Sequence, residues 1–170
     1  GTLEVQTNEL ATTQRRQREL VTEIDARIKP LEPVQVQVDE KTVMVQPDEK
    51  RTFEGSMALL RSGDFAAAIA GFQHLRLRWP ESAYIPGAQY WSGSAQFALK
   101  DYKAAIATNQ AFLTRYPEDA RAPDAMLTLG LSQLESGDKR TARATLQIVA
   151  DRYAETPAGR TATQRLATIK

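Results

Sequence analysis

The chain has no cysteine and a single histidine, His74. Without thiols, disulfide staples and thiolate metal sites are excluded. The compartment stays open, because a periplasmic protein can dispense with cysteine as readily as a cytosolic one. His74 has no carboxylate or nucleophile motif and no partner at ligand spacing, so it reads as a surface or partly packed side chain. No apolar run approaches the ~20 residues of a membrane span. A phosphate loop, a dinucleotide fingerprint and a nucleophile elbow are all missing. The nearest phosphate-like feature, Gly63-Asp64, recurs as a turn at Gly137-Asp138. A net charge of +1 gives no global field for nucleic acid or an anionic membrane. Arg61, Arg76 and Arg78 make only a loose basic group without the stacking aromatics that nucleic acid needs. Catalysis therefore has no footing, no cofactor is expected, and binding is what remains.

What the chain does have is an internal beat of 37 residues. Gly63-Asp64-Phe65 steps onto Lys100-Asp101-Tyr102 and then onto Gly137-Asp138-Lys139. The same step carries Trp79-Pro80 onto Tyr116-Pro117 and Tyr153-Ala154, Ala68 onto Ala105 and Ala142, and Phe53 onto Tyr90 and Leu127. Many columns agree at one offset without a gap, which is the signature of a solenoid. Within the middle unit, Tyr84, Ala88, Trp91, Ala95 and Leu99 fall at helical spacings. Lys100-Asp101-Tyr102 then turns the chain, and Ala105 to Leu113 fill a second helix that stops at Tyr116-Pro117. Small residues recur where paired helices must approach: Ser56, Gly93 and Gly130 on the first helix, Ala68, Ala105 and Ala142 on the second. A glycine inside a helix costs about 1 kcal/mol against alanine, so its recurrence implies that close helix contact outweighs the loss. The spacing predicts three antiparallel helix pairs, at about 48–80, 84–117 and 121–153, within a domain spanning 48–170. A capping helix over 156–169 turns Ala162, Leu166 and Ile169 inward and Arg160, Thr163 and Lys170 outward.

The first 47 residues read differently. Leu3, Leu10, Gln17, Ile24 and Leu31 are spaced by seven, and so are Thr7, Gln14, Val21 and Ile28. Two such seams predict a coiled-coil helix over 1–31, with polar layers at Gln14 and Gln17 that weaken it but can fix register and strand number. The alternative is a solvated helix lying on its own repeat domain. Pro30 and Pro33 end the helix. Alternation of Val34, Val36 and Val38, then Val43 and Val45, predicts strand character in a Pro/Val-rich linker over 32–47, as a tether or a short hairpin. Pro47-Asp48-Glu49 opens the first repeat helix with carboxylates at the positive end of its dipole.

The repeat columns resemble the tetratricopeptide repeat, with its small residue at Ser56, Gly93 and Gly130, its alanine at Ala68, Ala105 and Ala142, and its closing proline at Pro80 and Pro117. Three residues are added to the usual unit of 34, Asn109 stands where Phe72 and Leu146 are bulky, and Ala154 replaces the last proline. The resemblance implies an all-α right-handed superhelix whose first helices line a groove. Carried over, the groove positions are Lys50, Phe53, Met57, Leu60 and Arg61, then Gly87, Tyr90, Ser94, Phe97 and Ala98, then Asp124, Leu127, Leu131, Leu134 and Glu135. Phe53, Met57, Tyr90, Ser94, Phe97 and Leu131 are the candidate protein-binding residues, Tyr90 and Phe97 foremost as aromatic anchors. The leucines among these positions can equally be core between repeats. Co-chaperone members clamp a C-terminal carboxylate with lysine and asparagine where this chain has Phe53, Met57, Tyr90 and Ser94, so no such clamp can be assembled.

Longer stretches, 79–86, 88–93 (Ala-Gln-Tyr-Trp-Ser-Gly) and 122–126, resemble the Tol–Pal-associated cell division coordinator CpoB (YbgF) family. Ser92 departs from a leucine in that pattern. The resemblance covers 48–170 well and 1–47 only in kind. It implies a periplasmic, non-enzymatic adaptor made as a precursor with a signal peptide, trimeric through its coil. Such an adaptor binds TolA and, in some members, a bifunctional peptidoglycan synthase, and couples outer-membrane constriction to septal wall synthesis in cell division. Because the chain opens on Gly1-Thr2-Leu3, it is expected to be a fragment of a longer protein. Two other classes stay open: a repeat lipoprotein of outer-membrane assembly, and an accessory domain of an enzyme.

Overall fold

The computed structural model describes residues 1–169, apart from the side chain of Glu4. Lys170, expected on the outer face of the cap, lies outside the described residues. In chain order the elements are α1 (Thr2–Ile28), a 3-10 turn (Lys29–Leu31), β1 (Val34–Val38), β2 (Lys41–Val45), α2 (Pro47–Ser62), α3 (Phe65–Arg78), α4 (Ile85–Ala98), α5 (Tyr102–Arg115), α6 (Ala122–Glu135), α7 (Lys139–Arg152) and α8 (Pro157–Thr168). They divide into two compact units, one ending at Asp48 and the other beginning at Glu49.

In the first unit α1 is a single 27-residue helix. Its seam side chains Leu3, Leu10, Val21, Ile24 and Ile28 are all exposed, from 79% at Leu3 to 49% at Ile28. Gln14 and Gln17 are exposed as well. An isolated helix is marginal in water unless packing supports it, and this one presents an exposed apolar stripe interrupted at Gln14 and Gln17. Residues 34–45 form an antiparallel hairpin in which Val34 faces Val45, Val36 faces Val43 and Val38 faces Lys41. Asp39 and Glu40 make its two-residue turn, both left-handed at φ 47° and 65°. Consecutive positive φ values match the twist of the strands, but they place a glutamate where glycine or asparagine is usual.

In the second unit one local device is used three times. Each first helix ends in a residue of positive φ: Gly63 at 85°, Lys100 at 61° and Gly137 at 95°. The backbone N–H of that residue and of the next return to the helix, as in Gly63 to Leu60 O at 3.1 Å and Asp64 to Leu59 O at 3.0 Å. Such paired bonds satisfy carbonyls that a helix end leaves open. The aspartate that follows then caps the second helix. Asp64, Asp101 and Asp138 accept from the N–H groups of Ala67, Ala104 and Thr141 at 3.1, 3.1 and 3.0 Å. One short sequence thus ends one helix and starts its antiparallel partner.

The pairs stack in one direction, since α4 packs on α5 and α6, and α6 on α7 and α8. Ala68, Ala105 and Ala142 are completely buried, as are Phe72, Leu75, Phe112, Leu146 and Val149. Gly93 and Gly130 sit where helices nearly touch. A Cβ at Gly93 would lie 2.7 Å from Asn109 Nδ2, and one at Gly130 would lie 2.8 Å from Leu146 Cδ2. The cap α8 buries Ala158 and Ala162 against Leu146 and Val149, with Leu166 and Ile169 packed alongside. Arg160 and Thr163 are exposed.

Candidate protein-binding surface

Three columns of the repeat share one kind of environment. Phe53, Tyr90 and Leu127 are half-buried, and so are Met57, Ser94 and Leu131, and Leu60, Phe97 and Leu134. These positions lie three or four apart on α2, α4 and α6, so on each helix they form one stripe. One position before the middle column, Ser56, Gly93 and Gly130 are buried. One position after the last column, Arg61, Ala98 and Glu135 are exposed. The strip therefore runs between core and solvent across all three pairs, each side chain offering part of its surface to each.

The candidate residues already have partners inside the unit. Phe53 stacks on Tyr84 with ring centroids 4.4 Å apart and tilts onto Phe72 at 6.0 Å. Tyr90 meets Trp91 edge-on at 4.8 Å and Phe112 at 6.0 Å. Phe97 rests against Tyr102 at 5.7 Å, and Leu131 packs on the core shared with the cap. Ser94 spends its hydroxyl on the Tyr90 carbonyl, 3.3 Å away. Such packing fixes the rotamers of the strip, so a bound segment would meet a preorganised surface.

Its polar rim is set by an ion pair that the repeat step did not reveal. Arg121 makes a two-pronged contact with Asp119, Nε to Oδ1 and Nη2 to Oδ2 both at 2.8 Å, and both side chains are largely buried. Its hydrogen bonds, side-chain ones first, hold the Asp119 carboxyl below the usual aspartate range. The guanidinium reaches toward Gly87, where an added Cβ would lie 2.9 Å from Nη1 and 3.5 Å from the Phe53 ring. Burial, and then the Asp124 carboxylate, push the Tyr90 phenol up, outweighing the opposite pull of Ser94 and the Arg121 charge. Tyr84 is raised in the same way, by burial and then by Glu54 and Glu49. Glu49, read above as a dipole partner, is buried and receives the Ser82 hydroxyl, tying the first pair to the loop before the second. Pro47, Tyr84 and Arg121 occupy one 37-step column but share no chemistry, which is why that column carried no signal.

His74 is exposed and meets Trp79 edge-on at 6.0 Å. Among the described residues no three His, Cys, Asp or Glu side chains gather as metal ligands. None of the described helices is long and apolar enough to cross a membrane.

Residues 46–170 match the model of the YfiO family, described as an outer membrane lipoprotein. No curated protein matches the chain significantly. Solved structures similar to it include the tetratricopeptide domain of OM64 from Arabidopsis, at 13% identity and TM-score 0.58 over 70% of this chain and 93% of that one. The type III secretion translocator chaperone SycD of Yersinia enterocolitica, in an alternative dimer, gives 17% and 0.58 over 74% and 90%. MamA from residue 41 onward, from Desulfovibrio magneticus RS-1, gives 20% and 0.57 over 72% and 73%. At these identities the likeness is one of fold, and the fold is the all-α tetratricopeptide superhelix.

Proposed function

The chain belongs to the YfiO outer membrane lipoprotein family, and from that premise we propose that it is a periplasmic adaptor of the Tol–Pal system that binds TolA through the strip on α2, α4 and α6. The observation that carries the binding role is the row of half-buried side chains, apolar or aromatic except for Ser94, that recurs in all three repeats. An amphipathic or extended protein segment is the occupant that such a groove suits. The Tol–Pal assignment rests on the stretches 79–86, 88–93 and 122–126, and the envelope family is the setting that supports it. In this reading α1 gathers copies of the chain, as a trimer, by burying the stripe from Leu3 to Ile28. Linked grooves raise the effective concentration of the partner, so the adaptor works by avidity and no catalytic step is involved. A bifunctional peptidoglycan synthase is a second partner under the same reading, placing the adaptor between outer-membrane constriction and septal wall synthesis in cell division.

The family match itself favours a second reading, a scaffold of outer-membrane assembly that uses the same groove. Calorimetric titration of the chain with the periplasmic part of TolA separates the two. Saturable heat supports the Tol–Pal adaptor. A folded chain that gives no heat with TolA contradicts it and leaves the assembly scaffold.

A further inference from the structure

The junctions between successive helix pairs are homologous but not equivalent. At each, the last turn of one pair's second helix meets the loop leaving the pair before it. Between the second and third pairs an ion pair spans the junction, with Arg152 Nη2 3.8 Å from Glu118 Oε1. Stepping back 37 residues gives Arg115 and Glu81, and no ion pair joins them. Instead the junction holds an open cleft of about 370 Å³ lined by Gln73, Arg76, Leu77, Pro80, Ile85 and Arg115. That volume falls within the range of ligand pockets, ~300–1,000 Å³. Leu77 is 85% exposed, more than any other large apolar side chain among the described residues, Leu3 of the coil included.

The charge of the cleft is equally one-sided. The repeat places Leu113 where the first pair has Arg76, and Thr114 where it has Leu77, so only this junction combines two guanidinium groups with an exposed leucine. Neither Arg76 nor Arg115 has a carboxylate within ion-pair distance among the described residues. Arg115 lies over the Tyr116 ring at 5.5 Å, and Arg78 lies over Trp79 nearby at 5.9 Å. A basic residue in a helix's last turn offsets the negative end of its dipole, but that end amounts to only about half an elementary charge. Arg76 and Arg78 on α3 and Arg115 on α5 exceed it. The adjoining loops bring Glu81 and Glu118, and Glu118 already faces Arg152. The cleft is net positive, and its apolar floor is open.

We propose that this cleft is a second protein-docking site, separate from the strip on the first helices, that takes an acidic partner segment bearing one large apolar side chain. The segment's carboxylates pair with Arg76 and Arg115 while its apolar side chain enters against Leu77, Pro80 and Ile85. Guanidinium groups that have no internal carboxylate can offer two-pronged hydrogen bonds to those of a partner. Covering Leu77 supplies the non-polar contact, and the flanking charges restrict which segments are admitted.

Fluorescence anisotropy with the whole chain and a labelled peptide of aspartates and glutamates around a central Leu-Phe tests this. A second peptide carries lysines for the acids, and a third carries serines for Leu-Phe. The acidic Leu-Phe peptide should bind, with affinity that falls as salt is added. The double variant Arg76→Glu/Arg115→Glu should weaken it about tenfold or more, as should Leu77→Asp, while Arg165→Glu, the same charge reversal on the cap helix away from the cleft, leaves it unchanged. The changed positions in these variants are all exposed, and circular dichroism verifies that each variant folds. Equal binding by the double variant, binding of the lysine peptide as tight as the acidic one, or no binding to the wild-type chain overturns the proposal. So does binding confined to phosphatidylglycerol vesicles with none to the peptide.

Discussion

Replacing Asn109 with leucine should stabilise the repeat unit. Asn109 lies on α5 with no exposed surface, in the column where the first and third pairs have Phe72 and Leu146, both equally buried. Its Nδ2 donates to the Ala105 carbonyl at 2.8 Å, but its Oδ1 is buried without a partner. A buried acceptor left unpaired costs about 1–3 kcal/mol. Removing the amide also removes the Nδ2 bond, yet the Ala105 carbonyl already accepts its helical N–H four residues on, so that loss is small. Shape does not oppose the exchange. Leucine has the same number of heavy atoms as asparagine, and Leu146 occupies the matching place over Gly130, lying 2.8 and 2.9 Å from where a Cβ on that glycine would be, against 2.7 and 2.9 Å for Asn109 and a Cβ on Gly93. The net gain should be about 1–3 kcal/mol, which for a unit of this size raises the thermal midpoint by roughly 3–12 °C. Thermal and urea unfolding followed by circular dichroism read this directly. An unchanged or lowered midpoint for Asn109→Leu would refute the reasoning and show that the buried amide is satisfied or that the site cannot hold leucine.

Other outcomes follow from the same contacts. Gly159→Ala should loosen the cap by about 2 kcal/mol or more. Its Cβ would lie 2.0 Å from the Tyr153 carbonyl oxygen and 3.0 Å from Ala154 Cα, backbone atoms that cannot swing aside; faster tryptic cleavage at Arg160 and Arg165 reports it. Stability should fall on acidification. The Asp119 and Asp138 carboxyls are held below their ordinary value by hydrogen bonds, from Arg121 and Thr141 respectively, so the stability they confer is present above about pH 4 and is lost as pH drops through their folded values. Asp138→Asn, which keeps a cap but cannot titrate, should flatten that decline in unfolding midpoint between about pH 5 and 3. Ile24→Lys in the seam should shift the chain to monomer in sedimentation velocity, and an unaltered sedimentation coefficient at matched concentration contradicts self-association through α1.

What the sequence made legible was local and repeated. The three turns could be read because Gly63 and Gly137 supply the positive φ and an aspartate follows at each step, so Lys100 could be aligned with them though it is not glycine. The close approaches at Gly93 and Gly130 could be read because helical glycine needs a reason to be there. Long-range partners were not legible. Phe53 and Tyr90 were placed by repeat position, but the stacking of Phe53 on Tyr84 and the influence of the Arg121 charge on Tyr90 depend on a column with no common chemistry. The hairpin alternation was plain, while its turn, Asp39-Glu40, lacks the residues that usually announce one. At the junctions, the exchange of Arg76 and Leu77 for Leu113 and Thr114 can be read off the repeat, but the ion pair that Arg152 makes and Arg115 does not is invisible in a pattern that gives both a matching glutamate, since it arises from where side chains settle in space.

The central claim is that the strip on α2, α4 and α6 is where this chain holds its partner. Calorimetric titration with the periplasmic part of TolA, comparing wild type with Phe97→Ala and Ser94→Arg, tests it most directly. The first variant removes an aromatic anchor and the second fills the middle of the strip. Both should weaken binding about tenfold or more while circular dichroism shows the fold unchanged. Binding of undiminished affinity in both variants would contradict the account and place the partner elsewhere on the chain.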